Sequence, residues 1–186
     1  MLLMSLWLPI LLSAVAVFLV SAIIHMVLHY HDRDFAGLPD EDGVMAALRP
    51  FQLAPGEYTM PHCANASQMK DPQFQEKLNQ GPVAILTVMP NGPFKMGGQL
   101  FQWFLYCVLV GIFCAYIVGG LAPAGAEYRL IFRYVSATAF VAYSLALIQG
   151  SIWYKRRWSS TLKSMLDGLI YGLVTGGFFG WLWPGA

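Results

Sequence analysis

"DGLIYGLVTGGFFGWLW", residues 167–183, decides how this chain folds. Gly168, Gly172, Gly176 and Gly180 recur every four residues, so on an α-helix they fall along one face. A glycine has no side chain, and a line of them lets another helix backbone approach closely enough for dispersion contacts along its length. One such pair is weak evidence, whereas three consecutive small-xxx-small steps make a specific packing signal. The residues between the glycines are apolar and aromatic. The stretch therefore reads as the core of a membrane helix whose glycine face is a helix–helix seam. Its partner is expected to be a helix of the same chain, with a second copy as the alternative.

The rest of the chain agrees with a membrane class. Of its 186 residues, 57% are hydrophobic and 11% charged, against about 25% charged in an ordinary soluble domain. Apolar runs occupy Leu2 to about Leu28, then about 100–118, 130–148 and 162–183. Each provides the roughly 20 residues that a spanning helix needs. The expected fold is a membrane all-α protein with four transmembrane helices and a small α+β insertion between the first two. The expected domains are residues 1–30 for the first transmembrane helix, 31–98 for the extramembrane insertion, and 99–186 for a three-helix bundle. Ala14-Val15-Ala16 has the form of a signal-peptidase site. No basic residue precedes it and the apolar run continues, so a retained helix is expected.

The third span offers a matching stripe of small residues: Ser136, Ala139, Ala142 or Tyr143, Ala146 and Gly150. Trp153, Tyr154, Trp158, Trp181, Trp183, Trp103 and Tyr106 flank the spans, where an anchoring role at the headgroups suffices for most of them. Lys155, Arg156 and Arg157 lie between spans three and four, with Lys163 just beyond, and Arg33 follows the first span. The positive-inside rule then puts residues 31–98 in the cytoplasm and both termini outside. Arg129 and Arg133 oppose that orientation.

The insertion is too long for a structureless loop. An acidic start at Asp40 followed by an apolar face predicts a short helix over 40–48. Pro55-Gly56 turns into a short extended run. Asp71 and Pro72 start a second helix, about 72–79, and Gly81 ends it. "PVAILTV" predicts a strand over 83–89. The order is α-β-α-β, and its core is marginal.

No nucleotide-binding loop, serine-hydrolase elbow, HExxH or CxxC occurs. A net charge of +1 gives no basis for nucleic-acid binding. Cys107 and Cys114 are two helical turns, roughly 10 Å, apart, too far for a bridge within one helix. Haem within one copy is not expected, because spans two to four contain no histidine.

Three groups carry chemistry. "HMVLHYHDRD", residues 25–34, holds His25, His29 and His31. His25 and His29 are four apart and would share a helix face. His31 would point elsewhere unless the chain folds over, and Asp32, Asp34 or His62 would have to complete a site. The plainer reading is a polar boundary where the first helix leaves the membrane. His62 and Cys63, near Met60 and Met69, add soft ligands suited to copper, although a single His-Cys pair is a weak metal signal. Asp167 is an acid at a membrane span and so a candidate ion or proton site, with Lys163 one turn away to pair with it.

"LPDEDGVMAALRP", "QGPVAILTVMPNGPFKMG", "WFLYCVLVGIFCAYI" and "SIWYKRRWSSTLKSMLDGLIYGLVTGGFFGWLWP" resemble a family of small bacterial multi-pass inner-membrane proteins. The resemblance covers most of the chain after residue 30. It implies a bacterial inner-membrane location and brings no catalytic or binding residue with it. The favoured expectation is a non-enzymatic accessory or self-assembling scaffold subunit, packed through its glycine-rich helix and needing no cofactor. Its expected partners are the lipid bilayer and either further copies of itself or another membrane protein. One alternative is a protein that handles copper or zinc through His25, His29, His31, His62 and Cys63. The other is a small transporter or channel using Asp167.

Overall fold

A computed structural model describes residues 3–93 and 95–185. Met1, Leu2, Phe94 and Ala186, which the expected first span, insertion and bundle include, lie outside the described residues. The chain is 66% helical with one two-stranded sheet, which agrees with the expected class at that level. It divides into two compact units, Met1–Phe35 with Lys95–Ala186, and Ala36–Phe94.

The helical unit opens with a 3-10 turn, Leu3–Leu6, leading into α1, Trp7–Met26. Within the second unit, α2 spans Glu41–Leu48, where the Asp40 carboxylate accepts from the Gly43 N–H at 3.0 Å. Strand β1, Gly56–Met60, follows. Helix α3 is Pro72–Gln80, capped by Asp71, which accepts from the Gln73 N–H at 2.9 Å, and closed at Gly81 with φ +61. Strand β2, Ala84–Val88, pairs antiparallel with β1, from Gly56 opposite Val88 to Met60 opposite Ala84. Each boundary lies within a residue or so of its expectation, because caps and prolines fix them locally. No described residue between 36 and 93 is buried. Tyr58, Met60, Leu86 and Val88 on the sheet reach only partial cover.

The helical unit resumes with α4, Gly97–Leu121, then α5, Tyr128–Phe140. A wide π turn, Val141–Leu145, leads to α6, Leu147–Trp153, and α7 runs Trp158–Trp181. Among the described residues, three helices are long and apolar enough to cross a membrane: Met4–Met26, Gly97–Leu121 and Tyr128–Trp153. Helix α7 has the length of a span, 24 residues, but is less apolar, since it contains Lys163, Asp167 and five glycines.

The glycine face of α7 lies against α5 and the π turn of the same chain. A Cβ on Gly172 would stand 2.9 Å from the Ser136 carbonyl oxygen and 3.1 Å from the Phe140 nitrogen, which is backbone against backbone. One on Gly176 would collide with Ser136 Oγ and stand 2.8 Å from the Phe132 carbonyl. Gly180 meets the Tyr128 ring, and Gly168 meets Tyr143 and Ser144. Of the expected stripe, Ser136 faces this seam and Ala139 is buried; of the alternatives Ala142 and Tyr143 it is Tyr143 that meets Gly168, while Ala142 and Ala146 are exposed. The π turn accounts for the correction at Ala146: its extra residue per turn rotates the helix and brings Ser144 to Gly168 beside Tyr143. On the far side of the turn the small-residue contact continues through Ser151, whose hydroxyl meets that of Thr161 at 2.7 Å.

A second close approach joins α1 to α4, where Gly111 faces Ile10 and Gly119 faces Leu6. Leu6, Val17, Cys107, Val118, Cys114, Ile131, Val135 and Phe179 belong to the core of the helical unit, shared by α1, α4, α5 and α7. The three cysteines are free. Two of the aromatic residues near span ends also take part in packing. Trp183 is buried with its indole N–H on the Pro123 carbonyl at 2.9 Å, and the Trp103 indole N–H donates to Ser21 Oγ at 2.8 Å. A buried indole N–H needs an acceptor, and both positions supply one.

Candidate metal centre

The site forms where α1 ends. The Val27 and Leu28 N–H groups both bond to the Ile23 carbonyl, at 2.9 and 3.2 Å, and the helix stops there. His29 then adopts a left-handed backbone, φ +53, a conformation in which histidine is several-fold enriched among non-glycine residues. Two tight turns follow, closed by Asp32 N–H to the His29 carbonyl and Asp34 N–H to the His31 carbonyl. This reversal folds His31 back onto the last turn of α1. The His25 and His31 rings stack with centroids 4.7 Å apart and planes 8° apart.

The expected pairing of His25 with His29 is therefore corrected. It requires the helix to continue past His29, and the helix ends at Met26. His29 turns outward to solvent beside Asp32, at 3.2 Å. His31, which on a continuous helix would point elsewhere, becomes the central residue.

Three of the four ring nitrogens of His25 and His31 have a defined neighbour. His25 Nδ1 lies 3.1 Å from the Ser21 carbonyl. A carbonyl only accepts, so Nδ1 carries the hydrogen and Nε2 is left for another partner. His31 Nδ1 lies 2.6 Å from Asp34 Oδ2, and His31 Nε2 lies 2.8 Å from Asp167 Oδ2 on α7. The Asp34 carboxylate accepts from Nδ1. Nε2 and the Asp167 oxygen share a single proton between them. One ligand atom each from His25, His31 and Asp167 lies within 4.8 Å of the other two.

Lys163 and Asp34 complete the surroundings. The Lys163 ammonium donates to Asp34 Oδ1 at 2.9 Å and to the Tyr30 carbonyl at 2.5 Å. The expected Lys163–Asp167 pair is thus replaced by Lys163–Asp34 and His31–Asp167, because the folded-back loop brings its own acid and carbonyl to the ammonium. Burial alone would raise the pKa of Asp34. The hydrogen bonds from His31 and Lys163 and the lysine charge outweigh it and hold the carboxyl down at about 2. Asp34 is a carboxylate at any working pH.

Asp167 was expected near enough to the membrane edge to reach water. It is 3% exposed, and its Oδ1 has no hydrogen-bond partner among the described residues. A buried carboxylate oxygen without a partner is costly, and a bound cation would remove that cost. Tyr171, one turn further along α7, is also buried with its hydroxyl unpartnered. Both residues, with His25, line a cavity of about 570 Å³ in the helical unit.

His62 and Cys63 belong to the second unit. There the Cys63 thiol donates to the Asn65 carbonyl at 3.0 Å. They are not part of the His25, His31 and Asp167 group. Asp34, by contrast, was named in the sequence among acids able to fold over. No sequence signal connected His31 to Asp167 across 136 positions. Compared with known proteins, the chain matches no family model, no curated protein and no solved structure.

Proposed function

We propose that this chain is a multi-pass membrane protein that holds a divalent transition metal, with His25, His31 and Asp167 as its ligands. One observation carries the reading. Both imidazoles give Nδ1–H to a fixed acceptor, the Ser21 carbonyl and the Asp34 carboxylate, and a buried acid with a spare oxygen converges with them. Metal-bound histidines characteristically have such an outer acceptor, which fixes the tautomer and aims the other nitrogen. A cation would replace the proton between His31 Nε2 and Asp167. Ligand atoms around a tetrahedral zinc are about 3.4 Å apart, so a small inward turn of the exposed His25 completes the site. Two nitrogens and an oxygen suit zinc or copper(II) better than copper(I), which favours sulfur. Three protein ligands leave one position open, the pattern of zinc sites that bind a further small molecule.

The favoured membrane arrangement makes α7 the fourth span, beside the three apolar helices. Arg33, Lys155, Arg156, Arg157 and Lys163 then gather near the metal end of the helices. This supports a cytoplasmic location for that end and for residues 31–98, with both termini periplasmic in a bacterial inner membrane. The scaffold reading loses its main support, since α5 fills the glycine seam from within the chain.

The test is elemental analysis of protein purified in non-ionic detergent without chelators, then equilibrated with zinc and dialysed. About one zinc per chain is expected for a site of this kind. His31→Ala and Asp167→Asn should each reduce it below about a tenth of an equivalent. A wild-type protein that also falls below that level ends the metal reading.

A further inference from the structure

The metal position and the cavity adjoin, because His25 and Asp167 are both ligands and wall residues. Apart from Ser21 and Ser164, the wall away from them is mainly apolar and aromatic, with Phe18, Met26, Leu100, Trp103, Tyr143 and Leu147. Met26 and Leu100 on its border are exposed, 66% and 40%, and both lie on helices apolar enough to span a membrane. Met26 is the last residue of its span and Leu100 the fourth of its own, so in the proposed membrane arrangement this border lies at the membrane edge. At the polar end, the buried Tyr171 hydroxyl has no acceptor among the described residues.

We infer that the cavity binds an amphiphile with an anionic oxygen head, in its simplest form a fatty-acid carboxylate, whose head takes the open position on the metal. This rests on the metal reading above. The charges are complementary: a divalent ion with one Asp167 carboxylate leaves one net positive charge, while Asp34 and Lys163 neutralise each other. The Tyr171 hydroxyl supplies the donor that such a head requires, and its own unpartnered state is relieved. The apolar body then occupies the space between α1, α4 and α6, entering from the bilayer side. A volume of about 570 Å³ lies within the usual range for small-molecule sites, about 300–1,000 Å³. A freely soluble anion such as acetate satisfies the head and leaves the apolar walls uncovered.

The test uses the full chain in non-ionic detergent, loaded with cobalt(II), whose visible bands report changes of ligand. Laurate and acetate are titrated separately. Laurate is expected to change the bands at a concentration at least about 100-fold below acetate, since its longer chain buries additional methylenes. Leu100→Trp and Leu147→Trp each fill part of the cavity without touching a ligand. In whichever of them retains the cobalt bands, the advantage should shrink to within about threefold, which separates cavity binding from simple partition into the micelle. Tyr171→Phe should weaken laurate at least about fivefold and leave cobalt binding intact. Equal potency of the two acids in the wild type, or a laurate advantage that survives in the filled variants, overturns the inference while the metal reading stands. Absence of cobalt bands in the wild type overturns both.

Discussion

At the scale of single residues, the site depends on His31, held between Asp34 and Asp167 with both ring nitrogens engaged. Asp34 is not a ligand in this arrangement. It fixes the tautomer that turns Nε2 toward Asp167, where the proposed metal would bind. Asp34→Asn keeps an oxygen acceptor but loses the charge, so zinc affinity should fall about 10- to 100-fold, measured by competition with a coloured chelator. His29→Ala should leave affinity unchanged, since His29 faces solvent beside Asp32. A large loss in His29→Ala with none in Asp34→Asn would mean that the solution structure continues α1 past His29. Histidine spacing and the lone membrane acid made each proposed ligand visible in the sequence. The pairing was not visible, because it depends on one left-handed residue, His29, and on a contact between chain ends 136 positions apart. Helical periodicity describes neighbours only while the helix lasts, and this one ends three residues early.

At the scale of elements, α7 is placed by its glycines. Gly172→Ala and Gly176→Ala each put a methyl against backbone atoms of α5, at 2.9 and 2.8 Å. Overpacking of this kind costs about 1–3 kcal/mol, and at about 2–4 °C per kcal/mol the melting temperature in detergent should fall by roughly 2–12 °C. Gly177→Ala is the control. Its methyl would meet only the Tyr128 hydroxyl at 4.0 Å, and alanine favours helix over glycine by about 1 kcal/mol, so that variant should melt at the same temperature or higher. Equal destabilisation at all three positions would argue against the seam. The four-residue glycine repeat was fully legible. Its partner stripe was legible as far as Tyr143 and lost at Ala146, beyond the π turn Val141–Leu145, since nothing in the local sequence marks such a turn. That same turn brings Tyr143 to the cavity wall.

At the scale of the whole molecule, the two units differ in how much they bury. The helical unit has a continuous core, whereas residues 36–93 have no buried residue among those described. Expressed alone, residues 36–94 should therefore show a broad, non-cooperative thermal transition by circular dichroism. A sharp transition would show that caps and one two-stranded sheet suffice. The orientation has its own reporter in Cys63, which is partly exposed while Cys107 and Cys114 are buried. A membrane-impermeant maleimide should label it in inverted vesicles and not in intact cells. Labelling in intact cells would reverse the proposed topology. The central claim is the metal centre, and zinc-edge X-ray absorption on the purified, zinc-loaded protein tests it most directly. A centre built from His25, His31 and Asp167 gives a shell of nitrogen and oxygen only at about 2.0–2.2 Å, with outer scattering from two imidazoles that is lost with His31→Ala. A sulfur shell at about 2.3 Å, or a spectrum unchanged by that substitution, would contradict it.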